Sequence, residues 1–178
     1  MGIDCEIVIL HETPVSMDAL REAIEFISTC SERAALQLLD SAIFQDLDLP
    51  SEFFKMAIQT VEEETAHAFW LHSVEAGSSK FSGSIRKYVV LLVIGTISKF
   101  GGNIAFDVVK DTENYQRIQP HLVEMTDQYT NLFVEHARTL ASERTPEEQI
   151  MVDIEIVGDR LRMTVRPSRK QYQTISVA

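Results

Sequence analysis

Residues 150–167 read IMVDIEIVGDRLRMTVRP, two alternating runs joined by Gly158-Asp159. Period-two alternation marks a half-buried strand, and a two-residue glycine-containing link marks a hairpin turn. Counting outward from that turn fixes the register. Ile156 faces Leu161, Ile154 faces Met163 and Val152 faces Val165 on one side, and Glu155 faces Arg162 on the wet side. A hairpin over residues 149–167 follows, with 168–178 left as a tail.

The remaining pattern is mostly helical. EIVILH at Glu6–His11 is a short β-branched strand, broken by Pro14. Ser16 is a good N-cap for a helix carrying Leu20, Ile24 and Ile27 on one face. Ser31-Glu32 marks a second helical start, running toward Pro50. From Ser51 a long helix is expected to reach Gly77, with Phe54, Ile58, Val61, Ala68 and His72 on one side and Trp70 and Val74 on the other. GSSKFSGS at 77–84 has the composition of a flexible loop. Pro120 sits at a first helical turn, ahead of the stripe Leu122, Met125, Tyr129, Leu132 and Phe133. The whole predicts one α+β domain over 1–178, a mainly helical body with an N-terminal strand and a C-terminal β-hairpin, the three strands forming a sheet packed on helices.

The run VVLLVIGTISKFGG, Val89–Gly102, admits three readings. As a membrane helix it is too short, because Lys99 interrupts it and a span needs roughly 20 apolar residues. As a nucleotide loop its glycines fit neither GxGxxG nor GxxxxGK[ST]. As core it forms a buried helix from about Ser84 to Phe100, a break at Gly101-Gly102, and a short helix from Asn103 to Lys110 that Asn103 caps. A buried strand is the competitor, since Val89, Val90, Val93 and Ile94 are β-branched. On either core reading Gly95 permits close approach.

Charge narrows the function. The formal net charge is −11, which argues against binding nucleic acid phosphates. Residues 1–76 hold 15 acidic and 3 basic side chains, whereas residues 77–178 hold 12 and 13. Such polarity suits electrostatic steering of a basic protein partner. Candidate contact residues are Asp40, Asp46, Asp48, Glu52, Glu62 and Glu63, with Trp70, Phe53 or Phe54 as aromatic anchors. Arg160, Arg162 and Arg166 alternate on the outer face of the hairpin, placed to pair with Asp153 and Glu155 or with the acidic half of a second copy.

Motifs for chemistry are few. Glu64 and His67 have ExxH spacing, but a carboxylate-bridged metal pair needs two such motifs, and His121 to Glu124 runs in reverse order. Cys5 and Cys30 fit no metal or redox spacing and read as buried thiols of a reducing cytoplasm. No cofactor, metal or catalytic constellation is expected. The favoured function is an acidic cytoplasmic interaction module, either a toxin neutraliser of the immunity or antitoxin kind or an adaptor in a stress or defence complex. Two alternatives stand beside it: a membrane-targeting effector using residues 84–110, and a nucleotide binder or enzyme using a Gly95–Asn103 loop. Homo-oligomerisation is compatible with each.

Overall fold

The structure, a computed structural model, describes residues 4–11, 17–64, 70–75, 77–144 and 150–167. In chain order the elements are β1 (Asp4–Leu10), α1 (Met17–Leu39), α2 (Ala42–Gln45), α3 (Ser51–Glu64), β2 (Trp70–Glu75) and β3 (Ser78–Ser84). There follow α4 (Ile85–Phe100), α5 (Phe106–Val109), α6 (Glu113–Ile118), a 3-10 turn (Gln119–His121), α7 (Leu122–Ser142), β4 (Met151–Val157) and β5 (Arg160–Arg166). The fold is α+β, a mainly helical body with the N-terminal strand and C-terminal hairpin that the sequence predicts.

The hairpin register is the one counted from the turn, with Val152, Ile154 and Ile156 opposite Val165, Met163 and Leu161. The sheet itself has five strands, not three, in the order β2-β3-β1-β5-β4. β1 lies at its centre, antiparallel to β3 and parallel to β5. Its inner side and that of β5 bury Cys5, Ile7, Ile9, Leu161, Met163 and Val165 in one core with the helices. α4 and α7 lie against the sheet, α1 packs on α7, and α3 packs on α4.

The two extra strands correct two expectations. The helix from Ser51 is described over Ser51–Glu64 and does not reach Gly77, because Trp70–Glu75 is β2. Residues 78–84 are not a flexible loop but β3, paired with β1 on one side and β2 on the other. Serine and glycine have low strand propensity, so this segment is ordered by its neighbours' ladders rather than by itself. Gly77, at φ +85°, makes the tight link, and its carbonyl accepts the His11 amide at 3.0 Å. Ser79 is fully buried and hydrogen-bonds His11 Nε2 at 3.0 Å.

A further correction concerns α1, which is continuous through the expected restart at Ser31. That serine is buried mid-helix, and its hydroxyl bonds Tyr129 on α7 at 2.7 Å. The stripe Leu122, Met125, Tyr129, Leu132 and Phe133 is buried as expected.

Val89–Phe100 belongs to α4, a helix. Ser84 caps it by accepting the Lys87 amide at 3.4 Å, and Gly101 is its C-cap. Packing against both the sheet and α3 explains a β-branched, nearly all-apolar sequence in helical form. Gly95 is the close-approach point, because a Cβ there would meet Thr60 Cγ2 of α3 at 3.0 Å. Asn103 does not cap α5; it lies in a turn at φ +63°, and Ala105 takes the N-cap position. Among the described residues no helix is long and apolar enough to cross a membrane.

Candidate interaction surface

Strand alternation gives the sheet a second face, away from the helices. Register places Ser82, Glu6, Arg162 and Glu155 in one row across β3, β1, β5 and β4. The next row is Lys80, Val8, Thr164 and Asp153. Arg160, Arg162 and Arg166 are exposed on this outer face, as the alternation requires. Arg162 does not bond its hairpin partner Glu155. Its Nε donates to Glu6 Oε1 at 2.9 Å on β1, so it meets the acidic half within its own chain. Asp153 faces Thr164, and neither Asp153 nor Glu155 takes part in an ion pair among the described residues. The same is true of Arg160 and Arg166.

A broad cleft of about 1050 Å³ opens where the start of β1, the end of β3, the first turn of α4 and the hairpin turn converge. Its walls carry both signs, Asp4, Glu6 and Glu64 against Lys87, Arg160 and Arg162. Cys5 also lines it, but burial, aided by the Glu6 charge, pushes that thiol up to about 12, leaving it protonated and poorly nucleophilic near neutrality. Gly95 lies mid-helix in α4, so the order strand, glycine loop, helix is absent from the segment suggested for nucleotides.

The acidic residues divide into two groups. Asp40, Asp46, Asp48 and Glu52 follow one another through the α1, α2 and α3 junctions and are all exposed. Asp48 holds a left-handed backbone at φ +49°, which aspartate tolerates. The Glu52 carboxyl is held below its usual range, first by its own backbone amide and then by the Ser51 hydroxyl. Glu62 and Glu63 stand at the other end of α3, so the six acids do not form one cluster. Glu63 is also engaged: it accepts from Lys99 of α4 and from Gln59, and the Lys99 hydrogen bond, ahead of other causes, lowers its pKa. Glu64 is the last described residue of α3, and His67 lies outside the described residues.

Of the proposed anchors, Phe53 is buried against Phe54 and Phe100, and Phe54 is half-buried. Trp70 is not on a helix; it opens β2, with its Cα paired to Ser82. What sequence reading missed is the exposure of β4, where Met151, Ile156 and Val157 are 62%, 49% and 64% exposed. They are three of the large apolar side chains that the described surface leaves open, gathered on one strand. No protein-family model, curated protein or solved structure gives a significant match to this chain.

Proposed function

We propose that the chain is a small acidic cytoplasmic module that works by binding a basic protein, as a toxin neutraliser of the immunity or antitoxin kind or as an adaptor in a stress or defence complex. The observation that carries this reading is the group Asp40, Asp46 and Asp48, exposed at consecutive junctions and joined in no ion pair among the described residues, with Glu52 adding its charge from the first turn of α3. Acids that stabilise the fold are normally paired or cap helices, whereas unneutralised exposed acids extend a field into solvent and raise association rates with a cation-rich partner. Glu62, at the far end of α3, adds a separate exposed negative charge, and Trp70 is the aromatic anchor of the proposal. The net charge of −11 acts in the same direction.

The test is affinity capture of the tagged chain from its native lysate at about 0.1 M and about 0.5 M salt. A parallel capture uses the variant Asp40→Lys, Asp46→Lys, Asp48→Asn, Glu52→Lys. Asn at 48 keeps a residue that accepts the left-handed backbone. A stoichiometric basic protein retained at the lower salt, released at the higher and missing from the variant supports the reading. An eluate holding the chain alone, or a partner indifferent to both changes, refutes it.

A further inference from the structure

β4 is an open edge of the sheet, since strand order places it last and the described residues include no neighbour beyond it. Its free backbone groups can be assigned. The Asp4 amide donates to Asp159 O at 2.9 Å, so residue 159 faces β1 and Arg160 faces β4. Arg160 pairs with Val157 across the two-residue turn, and alternation then makes Met151, Asp153, Glu155 and Val157 the residues bonded to β5. The N–H and C=O groups of Val152, Ile154 and Ile156 therefore point outward from the edge. Natural edges are blunted by proline, lysine, a bulge or brevity. β2, the opposite edge, carries an irregularity between Leu71 and Ser73. β4 pairs regularly along seven residues and holds no proline, lysine or bulge.

The side chains state what such an edge would accept. On the outer face Asp153 and Glu155 stand beside the edge without ion pairs, Glu155 opposite an Arg162 that Glu6 already engages. On the inner face Val152 and Ile154 are half-buried and Ile156 is exposed. β5, which occupies the other flank of β4, shows the matching chemistry in Arg160-Leu161-Arg162-Met163, basic outward and apolar inward. A second β4 does not match. Antiparallel pairing centred on Ile154 sets Asp153 against Glu155 twice, and shifting by one ladder step sets Asp153 on Asp153 or Glu155 on Glu155. Like charges directly opposite destabilise a ladder.

We infer that β4 is a strand-addition site for an extended segment of a partner protein that alternates basic and apolar residues. This rests on the reading of the partner as basic and names how it docks: the Asp40–Glu52 acids steer it, and main-chain hydrogen bonds to residues 152, 154 and 156 hold it.

The experiment uses the full chain, isotope-labelled, with two capped seven-residue peptides: Lys and Val/Ile in alternation, and the same peptide with Glu for Lys. Amide hydrogen exchange is read residue by residue. Saturating basic peptide is expected to slow the Val152, Ile154 and Ile156 amides about tenfold, leaving Asp153 and Glu155 unchanged, with no effect from the acidic peptide. Ile154→Pro removes an outward amide without removing a β5 ladder bond, and abolishes the effect. Because proline also strains the strand, Asp153→Lys/Glu155→Lys serves as the second variant and transfers the preference to the acidic peptide. Absence of binding, equal binding of both peptides, or binding that leaves the three amides unprotected overturns the inference. So does protection that rises with protein concentration alone, which would mean self-pairing. A captured native partner that binds Ile154→Pro as tightly as the wild type overturns the edge and leaves the basic-partner reading standing.

Discussion

The Ser31–Tyr129 hydrogen bond ties α1 to α7 across the core, and the two ways of breaking it should differ in cost. Ser31 is 0% and Tyr129 1% exposed, and their oxygens are 2.7 Å apart. Ser31→Ala leaves the tyrosine hydroxyl buried with its one described partner gone, a desolvated polar group worth about 1–3 kcal/mol. Tyr129→Phe is milder. A serine on a helix can turn its hydroxyl to the carbonyl four residues back, as Thr60, Thr96, Thr126 and Thr130 already do in this protein. For Ser31 that acceptor is Ile27, so the loss should stay below about 1 kcal/mol. The double variant leaves no orphaned group and should cost no more than about 1 kcal/mol. Urea unfolding of the four proteins measures this cycle, provided the m-values agree. Equal single-variant costs, or a double variant equal to their sum, would refute the account.

Three further outcomes follow from the packing and titration. Cys5 and Cys30 are each pushed up to about 12, chiefly by burial, from an ordinary 9.0. The unfolded chain therefore releases thiol protons first. Stability is whole below pH 9 and falls as pH rises toward 12, by about 1.4 kcal/mol per pH unit per thiol. Tyr129, raised mainly by burial from an ordinary 10.0, adds to the decline from pH 10 upward, and the Cys5→Ala/Cys30→Ala chain should show a shallower slope in denaturant titrations at stepped pH. Gly95→Leu should lower stability by about 1–3 kcal/mol, because even a Cβ there would meet Thr60 Cγ2 at 3.0 Å; a thermal melt unchanged from wild type would contradict the close α3–α4 approach. Lys99→Met should let the Glu63 carboxyl titrate higher, followed by NMR chemical shift against pH.

Local pattern was enough for the elements whose partners are close in sequence. The hairpin register follows from a two-residue turn and a period of two, and no distant contact is needed to choose it. The α7 stripe is legible for the same reason, as its spacing repeats over successive turns of one helix. The acids Asp40, Asp46, Asp48 and Glu52 also proved exposed, since charge without a near partner seldom enters a core. Tertiary structure decided everything that depended on a neighbour far along the chain. β3 is a strand because β1, some seventy residues earlier, offers it a ladder that serine and glycine would not initiate alone. α4 is a helix despite its β-branched run because the sheet and α3 cover two of its sides. Ser31 stays inside α1 with its hydroxyl paired to that of Tyr129, and Arg162 turns from Glu155 to Glu6 because β1 enters the sheet parallel to β5. The open edge of β4 is the plainest case. A hairpin has two outer edges, and only the placement of β1 against β5 shows which one remains free.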